Sequence, residues 1–101
     1  MNEDAKKFCT TNLLPDFVCS LLELYGISFI EDLVGFGQED ITEIERNVRE
    51  GNFGGHVDFE SKSNRIKYLG FDVTDLKSFL FRPIDKKKLL SIGLIASQTI
   101  E

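Results

Sequence analysis

From Leu13 onward, apolar side chains fall at positions 13, 14, 17, 18, 21, 22 and 25, and the run stops at Gly26. A strand would spread that set over both of its faces, whereas a helix gathers it onto one, so the spacing predicts an amphipathic helix over 13–25. Thr11 or Asn12 is placed to cap it, Pro15 is tolerated in its first turn, and Gly26 is the expected C-terminal stop. The same logic then repeats at shorter range. Ser28 followed by Glu31 matches a capping box, with Phe29, Ile30, Leu33 and Val34 as the buried side of a short second helix. Gly35 and Gly37 break it. A third helix starts near Gln38, with Glu39 and Asp40 in the turn where the helix dipole favours acids, and Ile41, Ile44 and Val48 as its apolar seam. Gly51 closes it. With 101 residues, the chain is expected to form one domain around a single core.

The remainder is less periodic. Residues 1–11 are polar and read as a flexible lead. Residues 51–64, GNFGGHVDFESKSN, hold three glycines and read as a loop. Residues 65–83 are expected to form short helical turns. Pro83, Leu89, Leu90, Ile92, Leu94 and Ile95 describe a last helix from about 84 to 97. The expected fold is therefore all-α, a small bundle of about five helices over 12–98, with an inserted loop between the third and last helices.

Catalysis finds little to work with. His56 is the one histidine, in a glycine-rich loop, with no positioned nucleophile beside it. Ser61 and Ser63 lack a strand–turn–helix setting. One histidine and two cysteines ten positions apart make no metal-ligand spacing, and no glycine pattern cradles a nucleotide phosphate. The expectation is no enzyme, no cofactor, no metal and no small-molecule substrate. No apolar segment approaches bilayer length, so no membrane association is expected, and the cysteines are read as reduced thiols of an intracellular protein. Cys19 sits among Phe17, Val18, Leu21 and Leu22 and is expected to be buried; Cys9 is expected to be exposed.

Charge is the other guide. Residues 1–60 carry thirteen acidic and four basic side chains, whereas residues 61–101 carry four acidic and eight basic. A chain divided in this way can attract a copy of itself, unless the fold neutralises the two halves internally. Residues 33–45, LVGFGQEDITEIE, resemble the helix-hairpin-helix element that offers backbone N–H groups to a nucleic-acid phosphate. Basic residues usually follow such a hairpin; here Gln38, Glu39, Asp40 and Glu43 follow it. Acidic groups oppose phosphate binding, so nucleic acid is not the expected partner; a nucleic-acid-binding module is the alternative reading, supported by Lys86, Lys87 and Lys88.

Leu33, Phe36, Glu39-Asp40-Ile41 and Ile44, together with residues 84–96, IDKKKLLSIGLIA, resemble the SAM (sterile alpha motif) domain family. The likeness covers 13–50 and 84–97, with Leu89, Leu90 and Ile92 at core positions of the last helix. It departs from the family at 51–83, where SAM domains have a short connection. The resemblance implies protein–protein association, in which an acidic surface of the middle helices meets a basic surface at the start of the last helix. Glu31, Asp32, Glu39, Asp40 and Glu43 are the acidic candidates, and Lys86, Lys87 and Lys88 the basic ones. Phe53, Phe79 and Phe81 are candidate apolar anchors, because aromatic side chains dominate interface hot spots. The expected function is a non-catalytic adaptor or oligomerisation module of a larger intracellular regulatory protein, nuclear or cytoplasmic. Its partner is another protein or copies of itself.

Overall fold

The computed structural model describes residues 1–50, 57, 59–70 and 75–99. Among them are five α-helices and no strand: α1 (Glu3–Thr11), α2 (Asp16–Tyr25), α3 (Gln38–Arg49), α4 (Lys62–Leu69) and α5 (Pro83–Thr99). Two 3-10 turns complete the path, Ile30–Leu33 before α3 and Leu76–Ser78 before α5. The expected all-α bundle is thus observed.

The polar N-terminal stretch is a helix, where a flexible lead was expected. Asn2 caps it, its Oδ1 accepting from the Ala5 N–H at 2.8 Å, and Glu3 and Asp4 complement the dipole. Ala5 and Cys9, one turn apart, are fully buried, with Phe8 partly buried beside them. Two small apolar groups give a weak periodic signal, and that is why the helix escapes a reading from hydrophobicity alone. The Met1 amine lies 3.6 Å from Glu23 and the Asn2 N–H donates to the Ser28 carbonyl at 2.8 Å, so this end is fastened to α2 and to the chain beyond it.

The corner between α1 and α2 also moves a boundary. Leu14 N–H donates to the Cys9 carbonyl and Leu13 N–H to that of Thr10. This pair of bonds is the Schellman ending, which requires a left-handed residue between helix and exit. Leu13 fills that place at φ 63°. The end of α2 repeats the device with Gly26 at φ 113° and the Ile27 N–H donating to the Leu22 carbonyl. Residues 12–14 therefore terminate α1 instead of opening α2. Asn12 donates its Nδ2 to the Phe8 carbonyl at 2.8 Å, and Pro15 precedes the first turn of α2.

The second predicted helix is a single 3-10 turn, and its cap is Asp32 in place of Ser28 with Glu31. One oxygen of Asp32 accepts from the N–H groups of Ser28 and Phe29 at 2.8 and 2.9 Å. Of its predicted apolar side, Leu33 is buried and Ile30 partly so, while Phe29 and Val34 face solvent. The third helix matches the prediction closely. Ile41, Ile44 and Val48 are fully buried, and Asp40 reaches back to the Gly37 N–H at 2.9 Å. Residues 65–83 contain α4 and the second 3-10 turn, in line with the expected helical turns, although α4 begins inside the predicted loop, at Lys62.

α5 packs against the first 3-10 turn and α3, and α2 packs against α4. Gly93 is where α5 comes closest: a Cβ there would run into the Phe36 carbonyl. Phe36 closes the glycine hairpin, so hairpin and last helix meet backbone to backbone. Leu89, Ile92 and Ala96 line the same side of α5 and complete the core with Leu21, Leu22, Leu33 and Ile44.

Leu13 is held left-handed while 72% exposed, so it has a strained backbone and little burial to compensate. Leu13→Gly is expected to raise stability by about 0.5–1 kcal/mol, relief of strain outweighing the freer unfolded chain. Urea unfolding with an unchanged slope checks it.

Candidate functional site

The predicted acidic residues arise from two helix starts. Glu31 and Asp32 lie in the first 3-10 turn, and Glu39, Asp40 and Glu43 lie in the first half of α3. Three of the five carboxylates are engaged within the chain. Asp32 accepts two backbone N–H bonds, and this holds its carboxyl below the usual range. The Tyr25 hydroxyl lies 3.0 Å from Asp40 Oδ1 and 2.8 Å from Glu43 Oε2. A hydroxyl has one proton, so Tyr25 serves the two acids in turn or by a shared bond. Its partial burial, followed by these two carboxylates, pushes the phenol above its ordinary range, which keeps it a donor. Glu31 and Glu39 are exposed and have no ion-pair partner among the described residues.

The three lysines do not act as one surface. Successive residues on a helix point about 100° apart, and each lysine meets a different environment. Lys86 Nζ lies 3.6 Å from Glu45, a carboxylate that is only 4% exposed. Glu45 also accepts the Phe81 N–H at 2.8 Å, so it joins α3 to the entry of α5. Lys88 donates to the Leu13 carbonyl at 3.1 Å. Lys87 is exposed and has no ion-pair partner among the described residues. The start of α5 is further neutralised by Asp85, fully buried, which takes two contacts from the Arg82 guanidinium at 2.9 and 3.2 Å.

The predicted aromatic anchors need correction. Phe79 and Phe81 are buried and meet edge to face, their ring centroids 5.4 Å apart. They belong to the core because the chain entering α5 runs under α3, where Glu45 holds the Phe81 backbone and Arg49 donates to the Phe79 carbonyl. Phe53 lies outside the described residues, as does His56.

Exposed apolar surface is found elsewhere. Leu13, Ile84 and Leu94 are more than half exposed and Leu90 is partly so. Leu90 had been expected in the core; it points away from Leu89 and Ile92, which are buried. On α5, Ile84, Lys87, Ser91 and Leu94 follow at i, i+3, i+7 and i+10, a second stripe on the side away from the buried one. A shallow hollow lies beside this stripe, lined by Asn12, Ile84, Lys87, Lys88, Ser91 and Ile95. It sits at the α1–α2 corner, where Lys88 meets Leu13. A signal for this face was present in the sequence. A helix with apolar groups on all sides needs covering on all sides, and one small domain covers only half of it.

Among the described residues, no group of three histidine, cysteine or carboxylate side chains is placed to hold a metal ion. No helix among them is long and apolar enough to cross a membrane. The chain matches no family model, no curated protein and no solved structure.

Glu45 is a nearly buried carboxylate that serves two partners, the Phe81 N–H and Lys86. Glu45→Ala leaves a buried N–H unpaired and Lys86 without its partner, and is expected to cost about 2–3 kcal/mol in chemical unfolding. Glu45→Gln keeps an acceptor for Phe81 and is expected to cost less than half of that. For Asp32, a folded pKa below the unfolded one means a stabilising contribution that is complete above the ordinary aspartate range. It is lost as pH falls through the lower folded value. A carboxyl titration by NMR should place Asp32 below the ordinary aspartate range, and Asp32→Asn should flatten that part of the acid-unfolding curve.

Proposed function

We propose that this chain is a non-catalytic protein-association module that docks through the outer face of α5 and the Leu13 corner. The observation that carries the reading is the outer side of α5, where Ile84 and Leu94 of the second stripe, and Leu90 one turn before Leu94, stand in solvent while Leu89, Ile92 and Ala96 are buried. Leu13 adds weight, since a left-handed, exposed leucine adjoins that face where glycine would be the more stable choice. Apolar groups beside Lys87 suit a partner surface that is apolar with acidic neighbours.

Head-to-tail assembly, which the SAM likeness implies, remains a proposal within this reading. Exposed Phe29 and Val34 near Glu31 and Glu39 supply an apolar and acidic counterpart on the same chain. Lys86 and Lys88 are committed internally, so the apolar stripe carries more of such a contact than the lysine triplet does. The helix-hairpin-helix alternative is less well supported. The Gly37 N–H that would face a phosphate already donates to Asp40, with other acids close by.

Sedimentation velocity across protein concentration, combined with photo-crosslinkers at positions 94 and 42, tests the proposal. Self-association abolished by Leu94→Glu, or a protein adduct formed in cells at position 94 and not at the exposed α3 position 42, is the expected result. A monomer at all concentrations with no selective adduct at position 94 would show the reading to be wrong.

A further inference from the structure

Between α2, the end of α4 and the segment that enters α5, the chain leaves a hollow of about 150 Å3. Gly70, Leu80 and Arg82 stand exposed at its mouth, and Leu69, Phe79 and Phe81 are buried behind them. Half-buried Phe17 forms the α2 wall, and Gly70 lies so close to its ring that a Cβ there would sit 2.7 Å from Cδ1. Aromatic rings and leucines thus surround the space. Several backbone groups beside it are already engaged. The Phe79 carbonyl accepts from Arg49, the Phe81 N–H donates to Glu45, and the Gly70 N–H donates to the Ile66 carbonyl. Arg82 is the lining residue whose side chain can still hydrogen-bond. The buried Asp85 takes its Nε and Nη2 at 2.9 and 3.2 Å, which fixes the plane of the guanidinium. Its Nη1 has no partner among the described residues.

We propose that this hollow is a binding site for a small monocyclic aromatic compound that carries a neutral oxygen acceptor, of the benzamide or benzyl alcohol type. The ring follows from size and lining. An engineered apolar cavity of about 150 Å3, walled by leucine, isoleucine and phenylalanine, stays dry and takes up benzene. Water in such a space finds few partners, whereas a ring displaces it and gains edge-to-face contacts with the phenylalanines.

The oxygen follows from Arg82. Asp85 already balances the guanidinium charge, so a carboxylate would set a second negative charge beside Asp85 without a second cation to meet it. A carbonyl or hydroxyl oxygen accepts from Nη1 at no such cost. The proposal is independent of the association reading, because the hollow shares no residue with the outer stripe of α5 or with Leu13.

The test is a titration of the full chain with benzamide and with toluene, followed by NMR. Saturable shifts are expected at Phe17, Leu69, Leu80 and Phe81, with a dissociation constant on the order of 1 mM for benzamide and binding about tenfold weaker for toluene. Arg82→Lys keeps a cation for Asp85 and loses the planar fork, so it is expected to remove the preference for benzamide while toluene binding stays within about twofold. Leu80→Ser changes only an exposed side chain at the mouth and is expected to weaken both ligands by about threefold. Four results would each overturn the proposal. They are shifts that fail to saturate or that fall away from the hollow, toluene binding as tightly as benzamide, and benzoate binding more tightly than benzamide. The fourth is N-acetyl-phenylalanine amide binding far more tightly than benzamide, which would place the ring on a partner's peptide chain.

Discussion

Glu45 carries more of the architecture than any other polar group. It is a nearly buried carboxylate in the middle of α3, and a carboxylate is tolerated there only if its oxygens are satisfied. The Phe81 N–H and the Lys86 ammonium provide that satisfaction. Both come from much further along the chain, 36 residues on in the case of Phe81, so one side chain specifies where the chain must return before α5 can begin. Phe79 and Phe81 are drawn into the core by the same geometry. Asp85 and Arg82 then settle the first turn of α5, and Gly93 lets it lie directly on the Phe36 backbone.

This placement decides what the last helix can offer. With its Leu89, Ile92 and Ala96 side fixed against the first 3-10 turn and α3, the remaining apolar groups have nowhere to go but outward. The surface that results is chemically different from the charged pair of faces expected from composition. Two lysines of the triplet are used at home, Asp32, Asp40 and Glu43 serve as caps or tyrosine partners, and apolar side chains carry the exposed character of α5. Among the described residues one ion pair, Lys86 with Glu45, joins the acidic first part of the chain to the basic last part.

The α1–α2 corner shows how one local choice can have several consequences. Ending α1 with Leu13 in a left-handed conformation turns the chain sharply enough to present the Leu13 carbonyl to Lys88 and to leave the leucine side chain in solvent. The strain at that corner and its link to the start of α5 are products of the same turn.

Some of this was legible from residues alone. The seam of α3, the Gly26 stop and the long last helix depend on spacing and on backbone freedom, which are local properties, and they emerge as expected; Gly51, expected to close α3, lies outside the described residues. The N-terminal helix did not, because Ala5 and Cys9 are too small to mark a period, and its stability comes from docking. The fates of Phe79, Phe81, Lys86 and Leu90 could not be read from neighbours in the chain either, since burial and ion pairing depend on what lies opposite in space. Sequence alone determined the long helices α2, α3 and α5 and the side chains they carry. Tertiary structure decided which charges are consumed and which face of α5 stays bare, because those depend on contacts between groups tens of residues apart.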